Sequence, residues 1–264
     1  MLFATDSKGY SAGGFTLTAP PPFNVFQPES LNNLEVGFKS QFHIGSMKAR
    51  ANVSYFYGWY QNKQTTQALL AQVNPPPAPR TLIQTTTNAG AARPHGVDAD
   101  ITVLPTDDLE LVLALSYVDA KYTRYDTLNS QGVPISRAGL PFVGVPAWKV
   151  APHVTYYLPV PQSLGTISLN ADYTWYSRAL MDSNALILDY APYHSFRPSR
   201  KFLDASLKWS NVGGHDGLDV TLYGTNFTQE VGSVNGQGGY SLIGISADAP
   251  ADPRMWGVRL GYRF

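Results

Sequence analysis

The chain has 264 residues, 19 acidic and 19 basic side chains, and no cysteine. Zero net charge leaves no electrostatic footprint for a nucleic acid, and the missing thiols exclude a disulfide framework or a thiolate metal site. Only 14% of residues are charged, against about 25% in ordinary soluble domains, while 23 Gly and 20 Pro interrupt the chain too often for long helices.

In chain order, the first strand-like segments are 2–10 and 31–42. Residues 49–60 then set Ala51, Val53, Tyr55, Tyr57 and Trp59 against Arg50, Asn52, Ser54, Phe56, Gly58 and Tyr60. After 95–104, the segment 109–117 places Leu109, Leu111, Leu113, Leu115 and Tyr117 opposite Glu110, Val112, Ala114 and Ser116. Segment 147–158 precedes 165–176, where Ile167, Leu169, Ala171, Tyr173 and Trp175 alternate with Ser168, Asn170, Asp172, Thr174 and Tyr176. Segments 203–209, 217–226 and 254–264 complete a set of ten. The period of two is that of strands and fits no helix. Each segment is near the 9–11 residues that a tilted membrane-spanning strand needs, and no apolar run reaches the length of about 18 needed for a spanning helix.

The connections alternate in length. Short ones follow residues 42, 104, 158 and 210; long ones cover 11–30, 61–94, 121–146, 177–200 and 227–253. Short turns on one rim and long loops on the other are what bacterial outer-membrane barrels show. Aromatics gather near the loop-side strand ends: Tyr55, Tyr57, Trp59 and Tyr60, then Tyr117 and Tyr122, then Tyr173, Trp175 and Tyr176, which together read as an interfacial girdle. A soluble β-sandwich also alternates, but its strands are shorter, roughly five or six residues, and its loops do not sort by rim. The fold expected is therefore all-β, a transmembrane antiparallel β-barrel segment of about ten long strands.

The final segment alternates Trp256, Val258, Leu260, Tyr262 and Phe264 with Gly257, Arg259, Gly261 and Arg263. Both arginines fall on the polar side; facing lipid at mid-depth, each would cost about 2–4 kcal/mol. Trp256, Val258, Leu260, Tyr262 and Phe264 resemble the assembly signal of outer-membrane barrels. Further segments resemble TonB-dependent receptors in family order: residues 3–15 (FATDSKGYSAGGF), 28–40 (PESLNNLEVGFKS), 88–100 (NAGAARPHGVDAD), 223–230 (YGTNFTQE) and 253–264 (PRMWGVRLGYRF). Asp6, Pro94 and His95 depart from the usual pattern locally.

The resemblance implies a single region, 1–264, forming the C-terminal part of a barrel of roughly 22 strands that encloses a plug domain. The N-terminus lacks the basic segment and apolar core of a secretory leader. The plug, the energy-coupling segment and the earlier strands are therefore expected to lie outside this chain, which alone is expected not to transport. The function implied is TonB-dependent uptake of a scarce solute across the bacterial outer membrane, above all a ferric siderophore. Partners implied are outer-membrane lipid, the barrel-assembly machinery, the TonB complex through the absent plug region, and a small-molecule iron chelate. No nucleic acid and no cofactor are implied.

Lumen-facing candidates are Glu35, Lys39, Arg50, Asp98, Asp100, Glu110, Asp172, Asp204, Lys208, Asp219, Arg259 and Arg263; for each, hydrating the wall or contacting the plug is the simpler role. His43 and His215 are expected in short turns, His95 and His153 on strands, and His194 in a loop, with no metal-ligand spacing among them. His194, Ser195 and Asp189 stand close in sequence, but adjacency establishes no nucleophile and base. The Gly-rich stretch 236–240 follows no strand–helix pattern and reads as a loop; the Pro-rich stretch 75–79 is stiff and extended. A complete small barrel acting as a hydrolase or a passive pore is the alternative to a receptor; catalysis is not expected.

Overall fold

A computed structural model of the chain describes residues 1–128, 133–181, 196–237 and 247–263. All ten expected segments are strands: β1 (Leu2–Ser11), β2 (Glu29–Ile44), β3 (Met47–Gln61), β4 (His95–Thr106), β5 (Leu109–Asp119), β6 (Trp148–Tyr157), β7 (Thr166–Tyr176), β8 (Arg200–Ser210), β9 (Leu218–Thr225) and β10 (Met255–Tyr262). Each pairs antiparallel with the next in chain order. The product is a ten-strand meander. Among the described residues no ladder joins β1 to β10, so those two strands are its edges.

Register converts the period of two into two chemically distinct faces, because directly opposed residues project to the same side. One rung of the first face runs Phe38, Val53, Ala99 and Leu115 across β2 to β5; another runs Leu169, Leu207, Leu222 and Val258 across β7 to β10. The opposite face carries Lys39, Asn52 and Asp100 on one rung and Ser168, Lys208, Thr221 and Arg259 on another. Large apolar side chains on the first face stay open: Leu222 is 48% and Leu260 73% exposed. Among the described residues no helix is long and apolar enough to cross a membrane; the strands are what carry the apolar surface. Asp6 and Lys8 are exceptions, lying on the apolar face opposite Leu34 and Asn32. They stand on the edge strand β1, where charged residues discourage unwanted pairing.

The turn-side rim is tight. Gly45 takes φ 63° in the two-residue connection between β2 and β3, a left-handed conformation that costs a glycine nothing. The turn falls two residues later than the expected end of β2 at 42, because Ile44 and Met47 still pair on the apolar face. His43 is therefore a strand residue opposite Lys48, not a turn residue; His215 does lie in the connection between β8 and β9.

The loop-side rim is built of small hairpins where the sequence suggested irregular loops. Gln64–Ala71 pairs with Thr81–Asn88, flanking the Pro-rich stretch, and Tyr122–Leu128 with Pro134–Ser136. Shorter ladders join Gly14–Phe15 to Val25–Phe26 and Ala179–Leu180 to Phe196–Arg197. Ile83 and Ala19 pack with Phe23 and Val73 into a small satellite core.

The girdle is narrower than expected. Tyr57 and Trp59 pack at 4.7 Å between ring centroids and Tyr117 and Trp148 at 4.6 Å, all on the apolar face. Tyr60 and Tyr176 instead fall on the polar face, opposite Leu31 and Arg200, since each follows an apolar-face tryptophan by one residue and the pleat turns it over. Tyr122 belongs to a loop hairpin.

Candidate functional site

The candidate site is the polar face together with the loop-side structure above one half of it. Strand parity places Glu35, Lys39, Arg50, Asp98, Asp100, Glu110, Asp172, Asp204, Lys208, Asp219 and Arg259 on that face. Arg263, just past β10, pairs with Asp219 at 3.7 Å, and Arg50 donates to the Thr102 hydroxyl at 3.2 Å. Sequence reading found the face; it did not show which members touch.

The densest polar network spans β6, β7 and β8. His153 Nδ1 lies 2.6 Å from Asp172 Oδ1, and its Nε2 2.9 Å from the Thr155 hydroxyl. Thr155 donates to Asn170 Oδ1 at 3.1 Å, and the Asn170 amide reaches Ser168 and Ser206. Asp172 and Asp204 stand directly opposite each other across β7 and β8, an arrangement that like charges disfavour. Each carboxylate has its own donor: His153 for Asp172, and the Asn226 backbone N–H, at 2.7 Å, for Asp204.

Asn226 ties the loop side together. It sits at φ 52°, a left-handed conformation Asn tolerates better than most residues. Its side chain donates to the carbonyls of Glu230 and Asp252, both at 2.8 Å, and accepts from the Glu230 N–H at 2.8 Å. The Glu230 carboxylate in turn accepts from the N–H groups of Lys201 and Gly232. Asn226 is 5% exposed, so the bonds of its own side chain are largely screened from water. Asn226 and Glu230, at the centre of the knot, lie within the 223–230 segment singled out in the sequence.

Beside it lies a cavity of about 680 Å³ bordered by Tyr176, Arg197, Arg200, Phe202, Asp204 and Asn226. The Arg200 guanidinium stacks over the Tyr176 ring at 4.9 Å, and Arg178 stacks over Phe196 at 4.9 Å. Flat cations backed by aromatic rings are suited to a planar, negatively charged ligand, since guanidinium presents paired donors while its face remains stacked. Sequence reasoning missed this cluster. Its signal was available: Arg178 near the start of one loop, Arg197 and Arg200 at its end, each within two residues of an aromatic side chain.

The other half of the loop side is closed by packing. Tyr122, Tyr125 and Phe142 form a tilted aromatic group, with Tyr122 4.8 Å from Phe142 and 4.7 Å from Tyr125. Ala89 and Ala92 are buried with them. Lys63 pairs with Glu29 at 3.4 Å and lies over the Tyr60 ring, while Glu29 also accepts the Gln64 N–H at 2.6 Å. Burial, with the neighbouring Tyr125, pushes the Tyr122 phenol up to about 12.

Of the proposed assembly signal, Trp256, Val258, Leu260 and Tyr262 project from the apolar face of β10, with Trp256 84% exposed. Phe264 lies outside the described residues, as do His194, Ser195, Asp189 and most of the Gly-rich stretch. Among the described residues, no three His, Cys, Asp or Glu side chains are grouped so as to hold a metal ion.

A search of curated proteins found no match to this sequence. Solved structures with the same strand arrangement include the ferric yersiniabactin uptake receptor FyuA of Yersinia pestis, at 15% identity and TM-score 0.69, covering 100% of this chain and 35% of that one. The siderophore receptor PiuA of Acinetobacter baumannii matches at 15% identity and TM-score 0.69, covering 99% of this chain and 33% of its own. The copper transporter OprC matches at 13% identity and TM-score 0.65, covering 100% and 37%. The chain thus spans about a third of the length of these proteins, and at such identities the likeness is one of fold. The model for the TonB dependent receptor-like β-barrel matches residues 1–227, most of the chain. The chain belongs to the TonB-dependent receptor β-barrel family.

Proposed function

We propose that the chain forms ten strands of the barrel of an outer-membrane receptor that imports a scarce, negatively charged metal chelate, a ferric siderophore in the first instance, with energy delivered through TonB. The observation that carries this reading is the pairing of an apolar outer face with a polar inner face whose loop side holds Arg197 and Arg200 around a cavity. The family match supports the transport class. A siderophore receptor and a copper transporter both stand among the structural neighbours, and the two arginines bordering the cavity favour an anionic chelate over a bare cation. In this reading the apolar face meets outer-membrane lipid, β10 is read by the barrel-assembly machinery, and strands and a plug outside residues 1–264 complete the barrel.

The test is uptake of radiolabelled iron bound to catecholate, hydroxamate or carboxylate chelators by cells carrying, lacking, or mutated in the gene that encodes this chain. Deletion is expected to abolish uptake of at least one chelate, as is loss of TonB. Arg197→Ala with Arg200→Ala is expected to weaken that uptake about tenfold or more, the scale of lost charge-assisted hydrogen bonds. Uptake of every chelate that is indifferent to both the gene and TonB would overturn the reading.

A further inference from the structure

The loop-side arginines are not the whole cationic equipment of the polar face. At the opposite rim, the hairpin of β2 and β3 sets His43 opposite Lys48 and Gln41 opposite Arg50, and the pleat turns all four to the polar side. Strand β4 adds Thr102, opposite Arg50, and β5 adds Glu110. These six residues border a cavity of about 670 Å³, within the size range of small-molecule sites. His43, Lys48 and Arg50 are exposed, and among the described residues neither Lys48 nor Arg50 has an ion-pair partner. Glu110, the carboxylate at the border, pairs with neither of them.

The Thr102 hydroxyl, in a residue 8% exposed, accepts from Arg50 Nη2 at 3.2 Å. That bond holds the guanidinium against the wall and leaves most of its fork of donors unused. Register separates this cavity from the loop-side one. A rung leads from Arg200 through Tyr176, Lys149, Ser116 and Asp98 to Ser54 on β3. Lys48 lies six residues nearer the turns on that strand, about 20 Å away at about 3.3 Å per residue, too far for one small anion to touch both places. On the loop side of Lys48 and Arg50 the same wall is acidic. Glu35, Asp98 and Asp100 border a smaller cavity of about 430 Å³, with Lys149 as its cation. An anion that leaves the loop-side arginines must cross this stretch before it reaches Lys48 and Arg50.

We propose that the turn-side cavity is a second anion subsite, in which Lys48, Arg50 and His43 receive the oxygens of the anionic chelate after it leaves the loop-side arginines. The subsite rests on the reading of the chain as part of a receptor for such a chelate. Its chemistry is that of carboxylate or phenolate oxygens meeting a guanidinium fork and an ammonium point charge. Capture and exit then have separate cationic stations.

The test uses the full chain in zwitterionic detergent micelles at low ionic strength, titrated calorimetrically with citrate, a multiply charged carboxylate, and with its uncharged triethyl ester. Each protein is first checked for the wild-type β-sheet signal by circular dichroism. The wild type is expected to bind citrate at two separable sites and the ester at neither. Lys48→Gln with Arg50→Gln is expected to weaken one site about tenfold or more and to spare the other, which Arg197→Ala with Arg200→Ala removes. Lys48→Arg with Arg50→Lys, which keeps both charges, is expected to retain the two sites. Citrate binding untouched by Lys48→Gln with Arg50→Gln would overturn the subsite while the loop-side reading stands. Binding sensitive to that pair but not to Arg197 and Arg200 would overturn the loop-side site and keep the turn-side one, and no citrate binding by folded wild type would overturn both. The rival occupant is an acidic segment of the plug. In cells expressing the whole gene, unchanged exclusion of vancomycin by Lys48→Gln with Arg50→Gln is the expected result; sensitisation would show that these cations hold the plug, and would overturn the subsite.

Discussion

The two faces of this sheet share one backbone and differ only in which side of the pleat a residue occupies. Leu113 and Ala114 are neighbours on β5, yet Leu113 lies on a rung with Ile101 and Pro152, and Ala114 on one with Asp100 and Ala151. The comparison shows that the environment is set by parity, not by position along the strand. One substitution can therefore be tried on both sides at the same depth. Leu113→Arg is expected to destabilise the folded protein in lipid by about 2–4 kcal/mol, the range for an arginine in the middle of a lipid-facing strand. Ala114→Arg, one residue on, is expected to cost well under that, because its charge reaches water on the polar side and stands opposite Asp100. Urea titrations in lipid vesicles measure both; equal losses would break the two-face picture.

A second contrast sharpens it at the rim. Asn226 belongs to neither face; it links the loop side to Asp204 on the polar one. Asn226→Ala removes four part-buried side-chain hydrogen bonds and a residue tolerant of positive φ, so a loss of about 2 kcal/mol or more is expected. Protease cutting between 226 and 253 should rise in step, while the β-sheet signal persists. Resistance equal to the wild type would show that the knot is ornamental.

The smallest effect concerns the packed half of the loop side. The Tyr122 phenol is raised from near 10 to about 12 in the folded protein, so its neutral form is the one folding favours. Below the unfolded value the contribution is fully present; it is lost as pH climbs through the interval from about 10 to about 12. Stability should therefore decline across that interval in the wild type and decline less in Tyr122→Phe, with no difference between them near pH 7. Matching alkaline slopes in the two proteins would contradict the burial of this ring.

Strands and faces were legible because alternation is local: each pair of neighbours states which side is which. The long strands needed no partner to be seen, and eleven of the twelve charged candidates fell on one side by counting alone, the twelfth, Arg263, lying just past β10. What escaped was non-local or short. Gln64–Ala71 and Thr81–Asn88 are rich in Thr, which favours strands, but the prolines between them disguised a hairpin as loop. Tyr60 and Tyr176 were placed in the girdle by composition, although the parity used elsewhere assigns them to the polar side. The cavity's arginines, Arg197 and Arg200, meet Tyr176 and Asn226 only after the chain between these segments has folded back. The five family-like segments marked the knot at Asn226 but not the cavity beside it, since the cavity's arginines lie outside those segments.

The order of the strands has a consequence for how such a sheet can be made. Every ladder among β1 to β10 joins strands that are neighbours in the chain, so each addition closes only the loop just synthesised. Loop-closure entropy is then spent in small instalments, growing slowly with loop length, and no pairing waits for a distant segment to arrive. Growth requires one receptive edge at a time. A catalyst of insertion would need to hold that single edge open to the next hairpin, and the same exposed backbone that makes an edge hazardous in water would serve as the template for the following strand.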